Sequence, residues 1–223
     1  FLAEQELPTE YSQLSDSQKT SVKAIYEMIM YLQDKYGIEF EYTGYVRPQI
    51  LEDEYLTAIP KGGNEKTDTV TVTRQDDGTL TDDYPNIAVR PYYEQMITDY
   101  IEDYFGSDKI RVFSEIFNTK IEDFSNITNE SMEHNVSAFN IIFIEKEICS
   151  THEFNEFADN YCKWLKENGL SSENRVMLLY NISINKIDEL NPSDYFGKTY
   201  VEMELNCYVN KNGVIQISER EVR

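Results

Sequence analysis

The stretch Tyr31-Leu32-Gln33-Asp34-Lys35-Tyr36-Gly37-Ile38-Glu39-Phe40-Glu41-Tyr42 constrains the fold more than any other part of the chain. It reads as the last turns of a helix, a glycine stop and an alternating strand. Upstream, Ser15 and Gln18 have capping-box spacing, and Val22, Ile25, Ile29, Leu32 and Tyr36, with Tyr26 beside them, form an amphipathic stripe. Gly37 follows, where a left-handed backbone costs least. From Ile38 to Val46, Ile38, Phe40 and Tyr42 point one way and Glu39 and Glu41 the other.

Looser versions of this unit return twice. Tyr93, Met96, Ile97, Tyr100, Ile101 and Tyr104 keep helical spacing up to Gly106, with Pro91 in the expected first turn, and a strand is expected over Ile110–Phe117. Ser150 and Glu153 form a second capping box. Phe154, Phe157, Ala158, Tyr161, Cys162 and Leu165 then line one helical face before Gly169, with a strand expected over Arg175–Ile187.

Between these units lie further strand signals at Glu54–Ile59, Thr69–Thr73, Ala138–Glu147, and Tyr200–Val209 with Val214–Ser218 around an Asn212-Gly213 turn. Asp76-Asp77-Gly78 and Asn191–Asp194 read as turns, and residues 118–135 as a long polar loop. Most strand connections are too short for parallel crossovers, so antiparallel pairing is expected.

The expectation is an α+β fold with helices packed on antiparallel sheet, built from two or three helix-plus-meander modules. Residues 1–14, polar and carrying Pro8, read as a tether. Residues 15–90 read as a helix plus meander, 91–149 as a helix plus strands, and 150–223 as a helix plus C-terminal meander, in one continuous domain or two.

Charge bounds the partners. With 41 acidic against 20 basic residues the formal net charge is −21. Such a field repels phosphate backbones and anionic headgroups, so nucleic acid and direct membrane association are not expected. The acids are spread along the chain, which suits a solvated surface; the sharper reading is an acidic inhibitor that blocks a basic partner. No run approaches the ~18 apolar residues that a membrane span needs. Seventeen tyrosines suit half-buried sheet faces.

No motif assigns an activity. His134 and His152 are the only histidines and lack zinc-ligand spacing with Cys149, Cys162 or Cys207. Asp76, Asp77, Asp82 and Asp83 crowd one turn, but the order of an EF-hand loop is absent, and a solvated acidic turn is favoured over a calcium site. Cys162 falls on an apolar helix face, where thiols are inert packing groups, and Cys149 and His152 are too close in sequence to imply a catalytic pair. There is no nucleophile elbow, phosphate-binding loop or dinucleotide fingerprint. The asparagines of Asn-x-Ser/Thr at Asn126, Asn129, Asn135 and Asn181 read as chance matches. No catalytic residue, metal site or cofactor is therefore expected.

The segment Tyr31–Val46 resembles one found in uncharacterised exported or lipid-anchored proteins of Gram-positive, Clostridia-type bacteria, in which a helix ending in a Lys-Tyr-Gly stop leads into a strand of a small antiparallel sheet. The resemblance implies an extracytoplasmic α+β domain and carries over no catalytic residue. The opening Phe1-Leu2-Ala3-Glu4, without Met, adds the expectation of a removed leader or lipid anchor. The functional expectation is an extracytoplasmic, non-enzymatic binding domain for an unknown protein or cell-surface ligand. Its alternative is an acidic cytoplasmic inhibitor or immunity-type protein. A carboxylate enzyme ranks behind both.

Overall fold

Ser15 starts the first helix as the sequence predicts. Its hydroxyl accepts the Gln18 amide while the Gln18 side chain accepts the Ser15 amide, satisfying two otherwise orphaned donors. This is a computed structural model that describes residues 10–49, 52–179, 187, 190 and 201–221. The helix, α1, spans Asp16–Tyr36 and ends at Gly37, whose φ of 69° is left-handed. Its buried face is Ser21, Ala24, Ile25, Met28 and Leu32. The expected stripe is therefore rotated. Met28 is fully covered, Val22 and Ile29 lie at the margins, and Tyr26 is exposed.

The chain divides into two compact units, Phe1–Ile87 and Ala88–Arg223, and the fold is α+β. In the first unit α1 packs on a four-stranded antiparallel sheet in sequence order: β1 (Phe40–Val46), β2 (Tyr55–Pro60), β3 (Val70–Arg74) and β4 (Leu80–Asp82). Ile25, Met28, Leu32, Phe40, Leu56, Ala58, Val70 and Val72 form its core. Strand alternation puts Leu56, Ala58, Val70 and Val72 toward the core and leaves Thr57, Thr71 and Thr73 on the other face. Ile38 precedes β1 and is exposed, so the alternation begins at Phe40.

The short strand β4, which follows the Asp76-Asp77-Gly78 turn, was not foreseen from sequence. Three residues are too few to show a period of two. The next helix starts earlier than Pro91 suggests. α2 spans Tyr84–Phe105, and Pro91 lies inside it. The preference of proline for a first helical turn holds, but it applies to Pro85. The helix starts earlier because the Asp82 carboxylate accepts the Tyr84 amide at 3.1 Å.

In the second unit a five-stranded sheet runs β5 (Ile110–Thr119), β6 (Val136–Glu145), β7 (Ser171–Leu179), β8 (Val201–Val209) and β9 (Ile215–Glu221), in that spatial order. Three of its four strand pairings are antiparallel, but β6 and β7 pair in parallel. The expected antiparallel pairing holds between the other neighbouring strands of both sheets, and β6 with β7 is the exception. The connection between β6 and β7 contains a whole helix, α4 (Thr151–Glu167), which is the length a crossover needs. The sequence predicts one strand over residues 175–187. The strand ends at Leu179, and of residues 180–187 only Ile187 is described. The Asn191–Asp194 turn lies outside the described residues.

Helices α2 and α4 bury their apolar stripes against one face of this sheet. All six residues assigned to the α4 stripe are buried. Tyr100 stacks on Trp164 at 4.3 Å and Phe157 on Tyr161 at 5.5 Å, giving an aromatic seam. The polar stretch 118–135 is held rather than loose. β5 extends to Thr119, Ile121 and Met132 are buried, and Thr128 and Ser131 cap a single helical turn, α3 (Asn129–Met132).

Candidate functional site

The densest polar cluster of the first unit is built by the last turns of α1. Tyr31, Lys35 and Tyr36 reach Asp82 at the end of β4. Asp82 accepts from the Tyr31 hydroxyl at 2.8 Å, the Tyr36 hydroxyl at 2.7 Å and the Lys35 ammonium at 2.7 Å. With the Tyr84 amide, both carboxylate oxygens are engaged. Burial alone would raise the Asp82 pKa, but the hydrogen bonds from Lys35, Tyr36 and Tyr31 outweigh it and hold the group below its ordinary value. Its neighbour Asp83 shifts the other way. Burial raises it, although its carboxylate accepts the Thr71 amide at 2.7 Å.

A general base needs a free lone pair and a path to substrate, and Asp82 has neither. The cluster is a clasp between helix and sheet. Because the folded pKa of Asp82 is depressed, its stabilisation is present above the unfolded value near 4 and is lost as pH falls through the folded one. Asp82→Asn is expected to lose about 1–2 kcal/mol at pH 7, a modest figure because Lys35 is half exposed. The gap from the parent should narrow as pH falls below the unfolded value near 4 and close once the folded carboxyl is protonated, since the acid then resembles the amide. Urea titrations from pH 7 to 2.5 test this; a gap independent of pH would refute the assignment.

The acidic turn does not gather its four carboxylates. Asp82 and Asp83 are engaged as described, while Asp77 accepts from the amide and hydroxyl of Thr79. Asp76 and Asp77 line an open depression of about 360 Å³ with Asp53, Arg74 and Gln75. Arg74 brings its own positive charge and is held by Glu54 and Glu27. Among the described residues no group of three or more His, Cys, Asp or Glu side chains could hold a metal ion.

The thiols and imidazoles lie apart from such chemistry. Cys149 is buried, and burial together with Glu153 pushes its thiol up to about 12, the wrong direction for a nucleophile. His152 is exposed at the start of α4, 3.9 Å from Glu156. His134 has a left-handed backbone (φ 59°) and packs against Gly169. Cys162 and Cys207 are both fully buried in the core of the second unit.

That core contains a polar belt which the sequence reading missed. Ser114, Asn140, Asn174 and Cys207 occupy one cross-strand row from β5 to β8 on the helix-facing side. The Ser114 hydroxyl donates to Asn140 at 2.7 Å, and the Asn140 amide donates to Asn174 at 2.7 Å. Asn174 donates to the Ser172 hydroxyl at 3.0 Å and the Cys207 carbonyl at 3.1 Å. From the helices, the Tyr161 hydroxyl donates to Asn174 at 2.9 Å, while the Tyr93 hydroxyl accepts from Asn140 at 3.4 Å. Asn140, Asn174, Tyr93 and Tyr161 have no exposed surface, so the centre of the belt meets no solute, and only Ser114 at its edge is half-buried. Its signal was Asn140 within the apolar run of β6, and Asn174 just ahead of Val176–Leu179.

The opposite face of the same sheet is different. At one end Ile141, Phe143, Met177, Leu179 and Val201 form a small core with Ile187, and Leu190 packs beside it. At the other end the row Glu115, Phe139, Glu173, Tyr208, Gln216 crosses all five strands. Glu115, Glu173, Tyr208 and Gln216 are exposed, and Tyr208 retains 43% of its surface. The Arg175 guanidinium lies 5.4 Å over the Phe139 ring and Arg111 lies 5.3 Å over Phe113. Phe117, at the β5 bulge, is 58% exposed. Aromatic rings held by rigid strands and flanked by charges of both signs make a surface suited to contact with another macromolecule. Strand positions with aromatic side chains were visible in the sequence, but which face stayed open was not.

No helix among the described residues is long and apolar enough to cross a membrane. The sequence matches no protein-family model, and no curated protein matches it significantly. Among solved structures, the chain is similar to the crystal structure of a DUF5037 family protein from Ruminococcus gnavus, with 15% identity and a TM-score of 0.40 over 84% of this chain and 91% of that one; no residue role is carried over from it.

Proposed function

We propose that the protein is a non-enzymatic binding module that acts outside the cytoplasm, taking a protein or cell-surface ligand on the open end of the five-stranded sheet. The observation that carries this reading is the exposed row through Glu115, Glu173 and Tyr208, with Phe117 nearby, in a unit whose helices lie on the other face. The resemblance of Tyr31–Val46 to exported proteins supports the compartment. The net charge of −21 favours a partner with positive charge and disfavours nucleic acid and anionic lipid. The same charge supports a second reading, an acidic cytoplasmic inhibitor of a basic protein.

Fractionation of producing cells, followed by binding of the purified protein to their envelope fraction, separates the two. The first reading expects the protein outside the cytosol. It also expects the Phe117→Ala/Tyr208→Ala variant to bind the envelope at least ~10-fold more weakly, since exposed aromatics dominate such contacts. A purely cytosolic protein whose capture of a basic partner collapses between low and high salt would establish the second reading. Envelope binding unchanged in the variant would remove the sheet face as the contact surface.

A further inference from the structure

The polar belt ends at Cys207 on β8, and Cys162 of α4 lies over that end. Two independent features place them together. Both side chains are fully buried in the one core cluster that α4 forms with the sheet. The residue preceding Cys162, Tyr161, donates to Asn174, the cross-strand partner of Cys207. Ala158 and Cys162, small side chains one turn apart, let α4 approach the sheet closely. Both thiols have no exposed surface, whereas Cys149 lies outside the pair, its thiol directed to the Ser150 carbonyl at 3.4 Å.

We propose that Cys162 and Cys207 are a built-in disulfide site that closes when the chain folds in the presence of a thiol–disulfide oxidant, stapling α4 to β8. In the balanced step a small-molecule disulfide takes two electrons from the pair. One thiolate attacks it to give a mixed disulfide and release one thiol. The other cysteine then displaces the second thiol, forming the Cys162–Cys207 bond, and the two protons leave with the two released thiols. The bond closes during folding rather than afterwards. In the folded protein the Cys207 thiol is held far above its ordinary pKa by the neighbouring Cys162 thiol and by burial, and no oxidant reaches either sulfur. The staple encloses about 45 residues, a loop long enough for a substantial entropic effect on the unfolded chain.

The full chain is unfolded in guanidinium under reducing conditions and refolded either with reductant or in a reduced/oxidised glutathione mixture. Free thiols are then alkylated and the peptides sequenced by mass spectrometry. Oxidative refolding is expected to leave Cys149 alkylated alone, to yield a linked Cys162–Cys207 peptide, and to raise Tm by about 5–10 °C over the reduced form. Folded, reduced protein given the same mixture should acquire the bond at least ~10-fold more slowly. In Cys207→Ala the linked peptide and the Tm difference both disappear; Cys149→Ala retains both. Three alkylated thiols after oxidative refolding, or a bridge that includes Cys149, would overturn the proposal, and this readout on the unmutated chain decides the matter even where Cys207→Ala folds poorly.

Discussion

Asn174→Leu is expected to cost about 3–5 kcal/mol of folding free energy, among the largest effects of any single substitution in the chain. The side chain is fully buried and makes four hydrogen bonds: it accepts from Asn140 and Tyr161 and donates to Ser172 and the Cys207 carbonyl. Leucine supplies apolar volume but leaves these partners without water or protein in exchange. Each buried group left unsatisfied costs about 1–3 kcal/mol, only part of which better apolar packing offsets. Urea unfolding of parent and variant measures the difference. Asn160→Ala, which breaks one exposed hydrogen bond to Tyr104, should stay within about 0.5 kcal/mol and serves as the control. Because Asn140 shares the network, Asn140→Leu/Asn174→Leu should cost less than the sum of the single changes. A loss under 1 kcal/mol for Asn174→Leu would mean the belt is not closed as described.

The belt also has a role that energy alone does not capture. It runs straight across four strands, so a slip of any one strand by a single residue would turn its polar member to the opposite face and break the chain of hydrogen bonds. An all-apolar row would tolerate that slip more easily. Two tyrosines from two different helices join the same belt, which ties the sheet register to the helix positions. A buried polar network of this kind specifies one arrangement among several that would bury similar area.

How far the sequence showed all this depends on how local each signal is. The capping boxes of α1 and α4, the glycine stops and the α4 stripe are set by residues within four or five positions of one another, and they were legible. The start of α2 was not, because the residue that caps it is also held by α1, through Tyr31 and Tyr36, about fifty positions upstream. The parallel pairing of β6 with β7 was hidden for a related reason: short connections elsewhere argued for meanders, and only the position of α4 above the sheet makes the exception. The belt needed Asn140 and Asn174 to be placed in register, a fact about pairing and not about either strand. The open face was illegible for the same cause, since alternation tells which residues share a side but not which side a helix covers.

Gly169 tests the local and tertiary levels together, and Gly169→Ala is expected to cost about 2–4 kcal/mol. The local part comes from the end of α4. Gly169 follows the helix with φ 62°, its amide bonds to the Lys166 carbonyl, and the next amide, Leu170, bonds back to Leu165 at 2.9 Å, closing a left-handed stop that alanine adopts at a cost of about 1–2 kcal/mol. The tertiary part comes from His134. A Cβ on Gly169 would stand 2.4 Å from its imidazole ring. His134 is exposed and its backbone is fixed, left-handed with its amide bonded to the Gly169 carbonyl at 3.1 Å, so the ring gives way only by rotating about its side-chain bonds off the end of α4. Gly106→Ala separates the two parts. Gly106 has nearly the same φ, 63°, but nothing within 4 Å of the added carbon, so it should lose only the local about 1–2 kcal/mol. Adding His134→Ala to Gly169→Ala should recover about 1–2 kcal/mol, because the clash is removed while the strained backbone remains. If Gly169→Ala proves no more costly than Gly106→Ala, the packing of His134 on the end of α4 is not a close one, and the glycine there serves only to stop the helix.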